Sequence, residues 1–127
     1  MYDGFNSNQT FYTDTNGLEM QQRWIDYQPS YPLNPKSKMA VSRNFYPVTS
    51  AIAMRDFAQG SNKQVVILND RTQAGSSGLE KSTIELVQNR RLIQDDIRGV
   101  EEPLNEKDGK GFGLKVTAKY YMQIMDR

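Results

Sequence analysis

The alternation of apolar and polar residues with a period of two is the strongest constraint on the fold of this chain. The clearest example runs from Leu114 to Ile124, where every second residue is apolar or aromatic and most residues between them are polar. Successive side chains of a β-strand point to opposite faces. The pattern therefore predicts a long strand that covers a core on one side.

Four further stretches predict strands. Gln64 to Asn69 contains a short β-branched apolar run and predicts a central strand buried on both faces. Thr83 to Leu92 and Phe45 to Phe57 also carry apolar alternation. Leu18 to Tyr27 fits either a strand or a weak helical stripe, and we favour the strand. Together these stretches predict an antiparallel, all-β fold with about five or six strands.

The length of 127 residues predicts one domain over residues 1–127, because a chain of this length can bury a single core of ordinary size. Between residues 28 and 44, Pro29, Pro32 and Pro35 remove backbone donors and interrupt any periodicity. We expect a flexible surface loop there. No apolar stretch approaches the roughly 20 residues that a membrane-spanning helix needs, so no membrane partner is expected.

The composition excludes several classes of chemistry. The chain contains no His and no Cys, which excludes disulfides, thiolate nucleophiles, His-based triads and zinc sites built from those residues. We therefore expect no cofactor in this chain. The 16 Lys and Arg residues against 15 Asp and Glu residues give a net charge of +1, which does not favour nucleic acid as a partner.

The segment Asp95-Asp96-Ile97-Arg98-Gly99 is the most distinctive charged cluster. One interpretation is an acidic turn in which Asp95 or Asp96 pairs with Arg98 and Gly99 takes an unusual φ. The alternative is a binding site, in which the planar Arg98 guanidinium donates two hydrogen bonds to hydroxyls or a carboxylate while a flanking Asp holds it in place.

For each of the other clusters, a structural interpretation stands beside the functional one. Asp70-Arg71-Thr72-Gln73 with Ser76 and Ser77 follows a predicted strand and either forms a site or pairs locally on the rim. Phe11-Tyr12 and Asn44-Phe45-Tyr46-Pro47 are interpreted as core aromatics in preference to sugar platforms. Asn8-Gln9-Thr10 matches the N-glycosylation triplet, which matters only if the chain enters the secretory route.

The order of these clusters is more informative than any one of them. In chain order they are Phe11-Tyr12-Thr13-Asp14-x-Asn16-Gly17, Asn44-Phe45-Tyr46-Pro47-Val48, Asp70-Arg71-Thr72-Gln73-x-Gly75-Ser76-Ser77, Arg90-Arg91-Leu92 and Asp95-Asp96-x-Arg98-Gly99-Val100-x-Glu102-Pro103-Leu104. The series resembles the C-terminal β region of the glycoside hydrolase family 38 α-mannosidases. It is more similar to the lysosomal and vacuolar branch than to the Golgi branch.

The resemblance implies a portion of an antiparallel β-sandwich within a larger mutarotase-like super-sandwich. It implies a non-catalytic part of a retaining α-mannosidase of the lysosome or vacuole, which removes terminal α-D-mannose from glycoprotein oligosaccharides. A catalytic α/β barrel, resembled by no stretch of this chain, would be the partner domain and would hold the zinc. The chain would support that barrel and line the rim of the mannose pocket, and we expect it to be inactive alone.

By the same resemblance, Arg98 is expected to contact substrate, with Asp96 as its orienting partner, and Asp70, Arg71 and Gln73 are expected to be architectural. The chain departs from the family in its lysine-bearing loop 29–43 and at Glu101, where Ser is common. A second hypothesis stays open, namely a stand-alone β-sandwich module that binds carbohydrate or acts as a scaffold without enzymatic activity.

Overall fold

A computed structural model describes residues 4–33, 41–77, 82–93, 97–99 and 103–127. This part of the chain forms eight strands and a single helical turn. In chain order they are β1 (Thr10–Thr15), β2 (Glu19–Trp24), α1 (Val41–Asn44), β3 (Tyr46–Val48), β4 (Ala51–Arg55), β5 (Lys63–Asn69), β6 (Gln73–Ser76), β7 (Glu85–Val87) and β8 (Tyr120–Asp126). No described helix is long and apolar enough to cross a membrane.

The strands form two antiparallel sheets. The larger sheet has the order β2-β1-β4-β5-β8, and the smaller sheet has the order β3-β6-β7. The all-β antiparallel prediction is therefore confirmed. The predicted count of five or six strands is too low. The segment 45–57 holds two strands in different sheets, and no strand was predicted for Thr10–Thr15 or Gln73–Ser76, which form β1 and β6.

The core lies between the two sheets, where the smaller sheet packs on β1 and β4. Phe11, Ile52 and Met54 of the larger sheet meet Tyr46 and Val48 of the smaller one, and all five are buried. The rings of Phe11 and Tyr46 meet edge to face with their centroids 5.7 Å apart. Burying aromatic and branched side chains of this size stabilises the fold by roughly 1.5–3 kcal/mol each.

Gly75 of β6 is closely surrounded by side chains of both sheets. A Cβ atom placed on Gly75 would lie 2.6 Å from Val48 Cγ2 and 3.1 Å from both Ile52 Cδ1 and Leu86 Cδ2. No side chain larger than hydrogen fits this position without displacing the core. Glycine is therefore required here for the packing of β6 against the larger sheet.

Strands β2 and β5 lie where strands were predicted, but β5 differs from its prediction in burial. The favoured strand within 18–27 is β2, which pairs with β1 along its whole length from Thr15↔Glu19 to Thr10↔Trp24. Strand β5 pairs on both sides, with β4 and β8, as expected for an inner strand. Its residues are half-buried instead of buried on both faces, and Leu68 is 38% exposed.

The predicted strand from Leu114 to Ile124 is wrong in its extent and in its burial. Strand β8 begins at Tyr120, because its partner β5 ends at Asn69, which is paired with Tyr120. In the described part of the chain, no strand pairs with the backbone before that point. Leu114 and Val116 are 59% and 51% exposed, and Met122 and Ile124 are each 66% exposed, so the apolar face is not covered by the described residues.

The predicted loop 28–44 ends in helix α1, which is tied to the end of β2. Asn44 is buried, and its Oδ1 accepts a 2.8 Å hydrogen bond from the N–H of Asp26, while Arg43 forms an ion pair with Asp26 at 2.6 Å. Residues 34–40 lie outside the described part. The predicted strand within 83–92 is confined to the three residues of β7.

Candidate functional site

The smaller sheet leaves part of the inner face of the larger sheet exposed. Directly opposite residues of antiparallel strands share a face. The pairings Ile52↔Ile67↔Met122 and Met54↔Val65↔Ile124 therefore place all six residues on the inner face. We call its β5 and β8 part, consisting of Val65, Ile67, Met122 and Ile124, the open face.

Exposure increases stepwise across these rows. Ile52 is 0% exposed and Met54 4% exposed on β4, Val65 and Ile67 are half-buried on β5, and Met122 and Ile124 are each 66% exposed on β8. Contiguous apolar surface of this kind is typical of an interaction site. β8 is also the last strand of the sheet, so one row of its backbone groups is available to another chain segment.

The Asp70-Arg71 pair lies on the rim and connects two chain segments. Arg71 Nε donates to Asp70 Oδ1 at 2.9 Å, and Arg71 Nη2 donates to the carbonyl oxygen of Thr117 at 2.6 Å. The backbone N–H of Lys119 donates to Asp70 Oδ2 at 3.0 Å. The Arg71 guanidinium, followed by the Lys119 N–H, lowers the pKa of Asp70. This pair positions the segment that leads into β8, in agreement with the architectural role expected for both residues.

Gln73, Ser76 and Ser77 of that cluster are buried, whereas Thr72 is exposed. Gln73 is 7% exposed, and its Nε2 donates to the hydroxyl of Tyr120 at 2.7 Å, which joins β6 to β8. Ser77 is 2% exposed and its Oγ lies 3.5 Å from Met54 Sδ. These polar side chains therefore connect strands and present no open ligand site.

The carboxylate of Asp14 organises the turn between β3 and β4. Its Oδ1 accepts the N–H groups of Thr49, Ser50 and Ala51 at 2.8, 2.9 and 3.1 Å. Its Oδ2 accepts the Ser50 hydroxyl and the Gly17 N–H, both at 2.9 Å. Burial raises the pKa of Asp14, but these hydrogen bonds outweigh it and hold the pKa below its ordinary value.

The carboxylate of Asp56 likewise accepts several hydrogen bonds from loop residues, at the other end of β4. It is fully buried and accepts hydrogen bonds from the N–H of Asn6 at 2.9 Å, the N–H of Ala58 at 3.0 Å and the hydroxyl of Ser61 at 2.6 Å. Neither of these two buried carboxylates was predicted from the sequence. The signal for Asp14 is its place before Asn16-Gly17, since Asp commonly accepts hydrogen bonds within a turn.

Arg98 is exposed and lies in a strained backbone segment. Ile97 before it has φ 56°, which is unusual for a β-branched residue, and Gly99 after it has φ 113°. The predicted unusual φ of Gly99 is therefore confirmed. Asp95 and Asp96 lie outside the described residues, so the pairing predicted between Asp96 and Arg98 stays a prediction. Arg90 and Arg91 are exposed.

Three of the four aromatic residues of the two motifs are buried in the core, as predicted, whereas Phe45 is half-buried. Phe11 is 0% exposed, and Tyr12 and Tyr46 are 8% exposed. Burial raises the pKa of Tyr46, with the nearby Arg23 acting in the opposite direction. The Arg23 guanidinium stands 4.5 Å from the centre of the Tyr46 ring, which is a cation–π contact.

A groove of about 400 Å³ runs beside β2 and the following turn. Trp24 and Tyr27 line it with rings 5.8 Å apart and nearly perpendicular, and Arg23, Gln28 and Tyr46 add polar groups. No three carboxylate side chains converge to form a metal site within the described ranges. With no His or Cys in the sequence, the residues of this chain do not fit the zinc that the resemblance implies.

Comparison with known proteins gives a family match over most of the chain. Residues 4–98 match the model described as "Glycosyl hydrolases family 38 C-terminal domain". The chain is 45% identical over 105 residues to the lysosomal α-mannosidase of Bos taurus, which covers 83% of this chain. It is 46% identical over 114 residues to that of Homo sapiens, or 90% of this chain.

A plant relative extends the match further. The chain is 38% identical over 121 residues to a probable α-mannosidase of Arabidopsis thaliana, which covers 93% of this chain. In each of these three alignments the matched segment is only 10% or 11% of the relative. The chain thus spans about a tenth of the length of the curated relatives that it matches.

Proposed function

This chain belongs to the family 38 glycosyl hydrolases, as a portion of their C-terminal domain, and we propose that it is a non-catalytic β portion of a retaining α-mannosidase. In that role it supports the catalytic barrel of the same enzyme within a larger mutarotase-like super-sandwich. The enzyme would remove terminal α-D-mannose from glycoprotein oligosaccharides in the lysosome or vacuole. The relatives named lysosomal α-mannosidase support this localisation.

The open face is the observation that carries this proposal. A stable stand-alone sandwich covers both inner faces, whereas here β8 presents Met122 and Ile124 with two thirds of their surface exposed. We assign the open face to packing against other segments of the same enzyme. Two hydrogen bonds support this assignment, from Arg71 to the Thr117 carbonyl and from the Lys119 N–H to Asp70. They fix the position at which β8 enters the sheet.

Arg98 is the residue that we assign to the rim of the mannose pocket, with Asp96 as its orienting partner. Its exposed guanidinium is suited to donating paired hydrogen bonds to sugar hydroxyls. The strained φ of Ile97 supports a functional constraint on this segment, since strain of this kind costs roughly 1–3 kcal/mol and is concentrated at binding sites. We assign no nucleophile, acid or base to this chain.

The zinc ion is proposed to lie in the catalytic barrel, where it would act as a Lewis acid on the substrate. No residue of this chain is assigned to the metal, and none of its residues takes part in the bond-making steps. The contribution of the chain is to hold the barrel in place and to orient the sugar through Arg98.

A chimera tests this function directly. In it, the present chain replaces the matched segment of the bovine lysosomal α-mannosidase, to which it is 45% identical. We expect the chimera to release mannose from an aryl α-mannoside, whereas the isolated chain does not, even with added zinc. Turnover by the isolated chain, or a correctly folded chimera without any activity, would contradict the proposal.

Arg98→Ala in the active chimera tests the assignment of the pocket contact. Losing a charge-assisted contact of about 1.5–3 kcal/mol lowers kcat/KM by roughly 10- to 100-fold. Arg91→Ala is the matched control, because Arg91 is also exposed and lies close in sequence. Equal kinetics for the two variants with unchanged folding would reduce Arg98 to a structural residue.

The groove beside Trp24 and Tyr27 favours one alternative function, a carbohydrate-binding module without enzymatic activity. Aromatic rings with nearby amide and guanidinium groups can stack on and hydrogen-bond to a sugar. Titration of mannose oligosaccharides into the isolated chain separates the two functions. Saturable binding that Trp24→Ala abolishes would support the module, and the absence of binding leaves the enzyme portion as the function.

A further inference from the structure

The N-glycosylation triplet at Asn8 stands at an exposed turn at one end of the larger sheet. Asn8-Gln9-Thr10 is the single Asn-x-Ser/Thr triplet in the 127-residue sequence, and its middle residue is not Pro. Asn8 and Gln9 are exposed, with φ 50° and 56°. The Thr10 N–H donates to the carbonyl oxygen of Ser7 at 2.9 Å and closes a tight turn of the type I′ class.

The side chains of the triplet differ in their accessibility. The Asn8 carboxamide forms no hydrogen bond with any residue in the described ranges, whereas the Asn8 backbone N–H is bonded to Asn6 Oδ1 at 3.0 Å. Thr10 is 3% exposed, and its hydroxyl donates to the carbonyl oxygen of Asn8 at 3.2 Å. The folded turn therefore directs the acceptor amide away from the core.

We propose that Asn8 carries an N-linked oligosaccharide. This rests on the proposed lysosomal or vacuolar location, because such a protein passes through the compartment where a membrane transferase uses a lipid-diphosphate-linked oligosaccharide. Asn8 Nδ2 bonds to C1 of the reducing-end sugar and loses one proton. The bond from C1 to the lipid diphosphate breaks, and the lipid diphosphate leaves with the electron pair.

The position of the turn is compatible with the open face being covered. β1 is separated from β8 by β4 and β5, and three spacings of about 4.8 Å place the two strands about 14 Å apart. A bulky, hydrated oligosaccharide at the start of β1 keeps that end of the sheet in solvent, while Met122 and Ile124 remain available for packing. Asn8 thus marks the solvent side of the domain in the complete enzyme.

A tight turn alone is a simpler reason for Asn8, because Asn tolerates positive φ better than most residues. The two explanations differ in their dependence on Thr10. If Asn8 is present only because the turn needs a residue with positive φ, the identity of residue 10 does not matter. Glycosylation requires a hydroxyl at position 10, so Thr10→Ser preserves it and Thr10→Val abolishes it.

The test expresses the 127-residue chain behind a cleavable secretion signal in a eukaryotic cell. We expect a single mobility shift in the wild-type chain that an N-glycosidase removes, leaving Asp in place of Asn8 in the mass spectrum. Thr10→Ser and the control Asn6→Gln retain the shift, and Asn8→Gln and Thr10→Val lose it. Because transfer occurs on the emerging chain, both secreted and retained fractions are analysed, and a poorly folding variant remains informative.

An unmodified wild-type chain, or a shift that persists in Asn8→Gln, would overturn the proposal. The readout involves neither mannose release nor packing of the open face. A failure of glycosylation is therefore distinguishable from a failure of the proposed function, which mannose release by the chimera carrying Asn8→Gln tests separately.

Discussion

Replacing Asp14 by Asn tests how much of the fold depends on one buried carboxylate. Oδ1 would keep its three backbone donors, but the hydrogen bonds would become neutral, and the new NH₂ group would face the Gly17 N–H that now donates to Oδ2. Hydrogen bonds to a charged group contribute about 1.5–3 kcal/mol and neutral ones about 0.5–1.5 kcal/mol. Because these contributions are not additive, we expect a loss of roughly 2–4 kcal/mol.

Thermal unfolding measures this loss. For a domain of this size, 1 kcal/mol corresponds to about 4 °C, so Asp14→Asn should lower Tm by roughly 8–16 °C. Asp108→Asn is the matched control, since Asp108 also accepts two backbone N–H groups, both at 2.9 Å, but lies in an exposed loop. We expect that control to lose less than about 1 kcal/mol. A change of less than about 2 °C in Asp14→Asn would refute the reasoning.

The pH dependence gives a second measure of the same carboxylate. The folded pKa of Asp14 lies below its ordinary value of 3.8, so the unfolded chain binds more protons in acid. The stabilisation is thus fully present above the ordinary pKa and is lost as the pH falls through it toward the lowered pKa. Asp26 and Asp70 have lowered pKa values and add to this loss. The urea midpoint of Asp14→Asn should therefore fall less steeply in acid than that of the wild type, and parallel curves would contradict this.

Three further substitutions have defined outcomes. Gly75→Ala places a Cβ 2.6 Å from the buried Val48 and should cost about 1–3 kcal/mol in urea denaturation, whereas wild-type stability would mean that the two sheets separate easily. Asp56→Asn should lower the melting temperature, because three donors lose a charged acceptor, and an unchanged value would show that the Asn6 segment is not anchored there. The isolated chain should self-associate through the open face, so replacing both Met122 and Ile124 by Lys should shift it toward monomer in a sizing experiment, and association unchanged by the two substitutions would place the associating surface elsewhere.

Sequence patterns predicted the positions of β2 and β5 correctly. β5 and β2 follow their local alternation or β-branching, because each has partner strands that satisfy that pattern. The prediction for Leu114 to Ile124 was wrong because alternation reports which face prefers burial, while the extent of a strand depends on its partner. β5 ends at Asn69, so among the described residues no strand pairs with the segment before Tyr120.

The buried carboxylates that each accept several hydrogen bonds could not be predicted from the sequence. Asp14 and Asp56 bind donors up to 50 positions away along the chain, and no local pattern encodes such contacts. The expected architectural pair Asp70 and Arg71 was predictable because its members are adjacent. The role of Arg98 depends on a substrate and a domain outside this chain, so the resemblance alone suggested it.

Oxidation of Met122 measures the covering of the open face most directly. With dilute peroxide and mass spectrometry, the isolated chain should oxidise quickly at Met122, which is 66% exposed, and slowly at Met54, which is 4% exposed. In the folded chimera with the bovine enzyme, we predict that Met122 is oxidised about as slowly as Met54. Met20, which is 41% exposed on the opposite edge strand, should be oxidised at the same rate as in the isolated chain. Equally fast oxidation of Met122 in the chain and in the chimera would contradict the account.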